Sequence, residues 1–173
     1  MIAVIQNFDN RILSLIQRRL RCTVLDKLMP IITGLGTFGI LWGVTMLAFL
    51  GSNRYRRIGM LLFFTLLFSS VLTNLILKLL VARPRPCHIQ MEIPLLISRP
   101  LDFSFPSGHT TTSFAAATII LHANEALGVI AFVLAALISF SRLYLFVHFP
   151  SDVAAGILCG LLSSYIILSI FFY

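Results

Sequence analysis

Residues 58–82 read IGMLLFFTLLFSSVLTNLILKLLVA, and RPRP follows at 83–86. The run carries a single charge, Lys78. A helix needs about 20 apolar residues to cross roughly 30 Å of hydrocarbon. Lipid offers no water to backbone N–H and C=O groups, so a run of this kind satisfies them within itself, as a helix. The reading predicts a membrane-spanning helix that carries a lysine toward one end and breaks at Pro84 and Pro86.

The same pattern recurs on both sides of this run. LMPIITGLGTFGILWGVTMLAFL (28–50) reads as a first span and 58–82 as the second. A third and shortest span covers 106–121 and starts polar; a fourth covers 126–147 and a fifth 151–173. Residues 2–21 predict an amphipathic helix lying in the membrane interface. Ile5, Phe8, Ile12, Leu15 and Ile16 follow the three-four spacing, with Arg11, Arg18, Arg19 and Arg21 on the other side. The expected fold is therefore all-α, an integral-membrane bundle of about five transmembrane helices plus an N-terminal interfacial helix, in one domain over 1–173. Asp9 and Arg11 come too early for the unbroken apolar core of a cleavable signal peptide.

Composition agrees. The 173 residues are 58% hydrophobic and 11% charged, where soluble domains hold about 25% charged. The net charge of +7 fits anionic lipid head groups or phosphate substrates. It does not fit nucleic acid, because the basic groups sit among apolar spans. Cys22, Cys87 and Cys159 form no CxxC pair, which argues against zinc. The long connection 83–105, RPRPCHIQMEIPLLISRPLDFSF, holds four of the seven prolines and cannot be one helix. Its apolar IPLLI (93–97) is expected to dip into the interface. Alternating spans put this loop, the corner at 148–152 and the N-terminal helix on one face.

Three polar clusters fall on that face. An ionisable group at mid-bilayer costs roughly 2.5–3.5 kcal/mol, so each is a functional candidate. In KLLVARPRP, Lys78 and Arg85 lie seven residues apart, two helical turns. Their charges suit a phosphate, Arg as a fork and Lys as a point charge. In PSGH, Pro106 suits a helix start and Gly108 allows close approach of a ligand to a helix N-terminus. His109 follows as a proton donor. In SRLYLFVHFPSD, Pro150 ends the helix near His148, and Asp152 is placed to accept a hydrogen bond from His148 and fix its tautomer. Each cluster alone has a plainer reading: a snorkelling lysine, a capped helix start, and capping by Ser151 or Asp152. Ser107 as a nucleophile is disfavoured, because it lies two residues from His109 and lacks a GxSxG context.

Taken together, Lys78–x6–Arg85–Pro86, Pro106–Ser107–Gly108–His109 and Ser141–Arg142–x5–His148–x3–Asp152 resemble the type 2 phosphatidic acid phosphatase family. This is the integral-membrane branch related to vanadium haloperoxidases. The resemblance covers 78–152 and implies a lipid phosphatase that uses no metal and no cofactor. It implies His148 as nucleophile, Asp152 as its orienting partner and His109 as proton donor to the leaving oxygen. It implies Lys78, Arg85, Arg142, Ser107 and Gly108 as the phosphate-binding set, with Arg83 as an outer or head-group contact. Six scattered acidic residues offer no magnesium cluster. His88 and His122 read as loop and interfacial histidines.

The implied partners are a lipid phosphate substrate and the surrounding lipids. The sequence carries no signal of an oligomeric state. Family resemblance puts the site on the outer, periplasmic face of a bacterial cytoplasmic membrane. The positive-inside rule points the other way, since Arg11, Arg18, Arg19, Arg21 and Lys27 share the site's face against Arg54, Arg56 and Arg57 opposite. The rival function is non-hydrolytic binding or transport of a lipid phosphate, which needs the cations but not two histidines and an aspartate.

Overall fold

A computed structural model describes residues 2–172; Met1 and Tyr173, the last residue of the expected fifth span, lie outside the described residues. The described chain is helical, with no strand among those residues. The helices are α1 (Ile2–Arg19), α2 (Thr23–Gly36), α3 (Ile40–Gly51), α4 (Arg56–Ser70), α5 (Lys78–Val81), α6 (Pro86–Ile89), α7 (Gly108–Ala123), α8 (Glu125–Tyr144) and α9 (Pro150–Phe172). A π-helical stretch, Val71–Leu77, joins α4 to α5. Three stretches are long and apolar enough to cross a membrane: Arg56–Ile89, Glu125–Tyr144 and Pro150–Phe171. The protein is an integral-membrane helical bundle.

One expected span takes another form. The run 28–50 is not one straight helix. It divides into α2 and α3 across the 3₁₀ turn Thr37–Gly39, and the pair together is apolar enough to make a fourth, bent crossing. Gly39 takes φ 66°, a left-handed conformation that costs glycine little. The run 106–121 becomes α7, sixteen residues or about 24 Å long. It packs against α8, α9 and α4, and Ala115, Ala116, Ala117 and Ile119 are fully buried.

Close helix approach fixes the bundle where it meets the polar clusters. A Cβ built on Gly160 of α9 would lie 2.5 Å from the Thr111 carbonyl oxygen of α7, and one on Gly156 would lie 2.9 Å from the Ser107 carbonyl oxygen. In lipid no hydrophobic force drives helices together, so small residues that let backbones approach supply the contact. This approach lets the Ser107 N–H donate to the Asp152 carbonyl at 3.1 Å. The start of α7 is thereby tied to the start of α9.

Helix α1 packs against α8 and α9. The expected apolar stripe is split: Ile16 turns inward with Leu13, while Ile5, Phe8 and Leu15 face outward. The reason is polar. Asp9 lies on the same side as Leu13 and Ile16 and is fully buried in an ion pair with Arg83. In the 83–105 loop, Ile93, Leu95 and Ile97 pack on an inner cluster that includes Leu13, Tyr144 and Phe149. Only Leu96 of the IPLLI leucines turns out. The three cysteines are free thiols.

The tight α7–α9 contact has a measurable consequence. Gly160→Ala is expected to destabilise the protein by about 1–3 kcal/mol, the usual cost of overpacking. The check is a lower unfolding temperature in detergent; an unchanged value would mean the helices are not closely packed there.

Candidate active site

Backbone irregularities aim the polar residues inward. The π-helical stretch shifts the helical register just before Lys78, and Lys78 is buried at 7% exposure. Ala82 then ends α5 with φ 47°. That turn releases the chain into RPRP, where Pro84 keeps Arg83 out of helical geometry and Arg85 sits extended before Pro86. At the other side, Phe146 takes φ 59° just after α8. The chain reverses there and His148 points into the bundle at 1% exposure. Left-handed non-glycine residues are uncommon and cluster at functional sites.

The sequence-predicted residues converge. Arg85 is 2% exposed and Arg142 4%. Arg85 Nη1 lies 2.9 Å from His148 Nε2 and donates to the Val147 carbonyl at 2.7 Å. His148 Nδ1 lies 2.8 Å from the Ser104 carbonyl oxygen. A carbonyl can only accept and a guanidinium can only donate. Nδ1 therefore carries the proton, and the Nε2 lone pair faces the cations. Burial first, then the charges of Arg85, Arg142 and Lys78, push the His148 pKa well below the ordinary histidine value. The neutral imidazole is the resident form.

Asp152 does not hold His148 as expected. Its Oδ2 is 3.6 Å from Nδ1, beyond a hydrogen bond, and accepts the Phe149 N–H at 2.8 Å instead. Its Oδ1 accepts from Arg83 at 2.6 Å. The tautomer is set by Ser104, and Asp152 lies beside the ring without a hydrogen bond to it. Arg83 takes the outer of the two places expected for it. It turns inward to Asp9, Ser151, Gln6 and Asp152, with its guanidinium 4.0 Å over the Phe149 ring, and is not a head-group contact.

His109 sits on the first turn of α7, pressed by α2: a Cβ on Gly36 would lie 2.8 Å from His109 Cδ2. His109 Nε2 and Arg142 Nε are buried with no hydrogen-bond partner among the described residues, while Arg142 Nη1 donates to Thr33 Oγ1 at 2.6 Å. Buried polar atoms without partners are rare and mark a place for a ligand. Both residues line one open cavity of about 1090 Å³, together with Lys78, Arg85, Gly108 and His148. The first N–H groups of α7 have no intrahelical partner. Ser107 does not line this cavity; it is buried behind it, its Oγ accepting from Thr110 Oγ1 at 3.0 Å. Beyond the polar end the cavity runs between the glycines of the α2–α3 bend and Phe63, Leu66 and Leu67 of α4. His88 lies on α6 and His122 at the far end of α7.

Sequence reasoning missed Asp102. Its carboxylate bonds Lys78 and lies 2.7 Å from Arg85 Nη2. Burial opposes its ionisation, but the Lys78 hydrogen bond and the Arg85 and Lys78 charges outweigh that and hold its carboxyl below the usual carboxylate range. An acid in a proline-rich loop gives no spacing signal. Asn74, on the π-helical stretch, is another omission: a Cβ on Gly108 would lie 2.9 Å from its Oδ1.

Two histidines, a carboxylate and three buried cations surround one cavity. The profile of the PAP2 superfamily matches residues 58–173. The chain belongs to the PAP2 superfamily. It is 36% identical over 109 residues to an undecaprenyl-diphosphatase of Sulfolobus acidocaldarius, covering 62% of this chain and 52% of that one. Among solved structures it resembles Aquifex aeolicus LpxE, with a TM-score of 0.80 and 30% identity over 94% of this chain and 95% of that one. It also resembles a transmembrane PAP2 type phosphatidylglycerolphosphate phosphatase from Bacillus subtilis, with a TM-score of 0.78 and 26% identity over 96% and 86%. The chain spans about half the length of the curated relatives it matches.

Within this PAP2 fold, Asp102 occupies two of the cations that an incoming anion would use. Asp102→Asn is expected to tighten binding of inorganic phosphate or vanadate by roughly tenfold, about 1.4 kcal/mol. Weaker binding would mean that Asp102 helps to hold the anion.

Proposed function

We propose that this protein removes a phosphate from a membrane lipid phosphomonoester or diphosphate through a phosphohistidine, without a metal. The observation that carries the reading is the His148 Nε2 lone pair, buried and aimed among Lys78, Arg85 and Arg142. A neutral nucleophile beside clustered cations is what phosphoryl transfer needs, since positioning and charge stabilisation supply most of the catalysis.

The steps balance as follows. The substrate phosphate displaces Asp102 and takes bonds from Lys78, Arg85, Arg142 and the Gly108 end of α7. Nε2 attacks phosphorus and the bond to the lipid oxygen breaks. His109, protonated beside the bound phosphate dianion, gives that proton to the leaving oxygen. Water then attacks the phosphohistidine with His109 as base, the P–N bond breaks, and inorganic phosphate leaves. Ser104 keeps the Nδ1 proton in place, and Asp152 stabilises the positive ring from 3.6 Å. Ser107 sets the start of α7. Cations do here what metal ions do elsewhere. Among the described residues no three His, Cys, Asp or Glu side chains are grouped to hold a metal ion.

The apolar arm of the cavity, between the α2–α3 bend and α4, suits a lipid tail entering sideways from the bilayer. Phosphatidylglycerophosphate, undecaprenyl diphosphate, lipid A 1-phosphate and phosphatidate form the candidate class. We place the site on the outer, periplasmic face of a bacterial cytoplasmic membrane, with the basic residues of α1 lying in the interface.

The test is phosphate release in detergent with EDTA present, over that panel of lipids. Wild type is expected to release phosphate and His148→Ala to release none. Arg142→Ala is expected to lose about 10²–10³ in rate, the usual loss for one transition-state donor. Tight lipid binding with no release from any lipid would establish the binding or transport reading instead. The pH profile is a second check. His148 stays neutral, and so nucleophilic, as pH falls through the ordinary histidine range, and is lost only when pH passes its lowered pKa. The acid limb is therefore expected below about pH 6.5. An acid limb above that value would contradict the buried neutral nucleophile.

A further inference from the structure

The PAP2 match begins at residue 58, yet the site's hydrogen bonds reach residue 9. Asp9 of α1 is 0% exposed. Its Oδ1 accepts the Ser151 N–H at 2.9 Å; its Oδ2 accepts Ser151 Oγ at 2.5 Å and Arg83 Nη2 at 2.7 Å. Ser151 lies in the first turn of α9, so Asp9 caps that helix from another helix, where the dipole favours a carboxylate. Arg83 carries the connection on. Its Nη1 donates to Ser151 Oγ at 2.7 Å and to Asp152 Oδ1 at 2.6 Å. Asp152 faces His148 Nδ1.

We propose that Asp9, acting through Arg83, is a positioning residue for the His148–Asp152 pair, so that docking of α1 completes the active site. The inference rests on His148 being the nucleophile. A plain anchor for α1 is already present without Asp9. Leu13 and Ile16 enter an apolar cluster with Tyr144 and Phe149, and Gln17 donates to the Tyr144 carbonyl at 2.8 Å. A buried ion pair is a costly way to add another anchor. Its bonds go instead to Ser151 and Asp152, on the turn that presents His148.

The charges explain what the pair does. His148 is faced by Arg85 at 2.9 Å, by Lys78 and Arg142, by His109 across the cavity and by Asp152. Asp102 is engaged by Lys78 and Arg85. Asp9 offsets the charge of Arg83, so the Asp152 carboxylate keeps its effect on the ring. Without Asp9, Arg83 cancels Asp152, and the positively charged ring that forms on phosphorylation loses its counter-charge.

The experiment uses the full-length protein and the best substrate of the lipid panel, comparing wild type, Asp9→Asn, Asp9→Glu and Arg18→Gln. Arg18 lies on the exposed side of α1 and its variant is expected to match wild type. Asp9→Asn is expected to lower kcat roughly 10- to 100-fold, as losing an outer partner of a working histidine does, with KM unchanged. The acid limb of kcat is expected to move to lower pH by about half a unit or more, because less negative charge faces His148. Asp9→Glu is expected to restore part of kcat. A fall in kcat with an unmoved acid limb means a structural role and overturns the proposal, as does a wild-type kcat. Should Asp9→Asn not fold, Ser151→Ala keeps both charges and is expected to lower kcat less, at unchanged KM. An unchanged kcat there overturns the proposal. Wild type inactive on every lipid, by contrast, removes the phosphatase reading itself and the proposal with it.

Discussion

Three buried cations, Lys78, Arg85 and Arg142, are the constraint on which the rest depends. A cation withdrawn from water inside a bilayer needs an anion, a hydrogen-bond acceptor or a way to lose its charge. This protein supplies only part of that need. Asp102 serves Lys78 and Arg85. Arg142 has Thr33 on one nitrogen and no partner on Nε. The site is left short of negative charge and short of acceptors at one place, against His148. A tetrahedral dianion meets both shortages, which supports the proposed phosphate substrate on electrostatic grounds.

The fold serves that arrangement by departing from regular helix near the site. Ala82, Phe146, the π-helical stretch and the bend at Gly39 each interrupt a helix that lipid alone would favour as continuous. Irregular backbone at membrane depth is tolerated where it lines a polar cavity inside protein. Helix α7 is short because it is an inner wall. Its neighbours shield it, and its N-terminus ends at the cavity. The closely packed glycines of α9 hold that wall against Asp152, so the packing contact also sets where Asp152 sits.

Much of this was legible in the sequence, and the reason is that the informative spacings are local. Lys78 and Arg85 follow one helix, Gly108 and His109 open another, and His148 and Asp152 flank one proline corner. Apolar run lengths gave the helical membrane class. What was not legible is contact between residues far apart in sequence. Asp9 pairs with Arg83 across 74 positions, and the Ser104 carbonyl reaches His148 across 44. Periodicity carries nothing about either. A motif also names a side chain without its partner: the spacing predicts a hydrogen bond from His148 to Asp152, but a backbone carbonyl takes it. The broken first span escaped because hydropathy sums over Gly39 without registering its left-handed turn. The side of α1 that meets the protein carries a buried carboxylate, Asp9, with Leu13 and Ile16, and apolar periodicity does not register it.

The central claim is that His148 carries the phosphoryl group. The direct measurement is to quench turnover under alkaline conditions, where phosphohistidine survives, and to locate the phosphoryl group by peptide mass spectrometry. The account predicts the adduct on His148 and its absence from His148→Ala. Turnover retained by His148→Ala, or a phosphoryl group found on another residue such as Ser107, would contradict it.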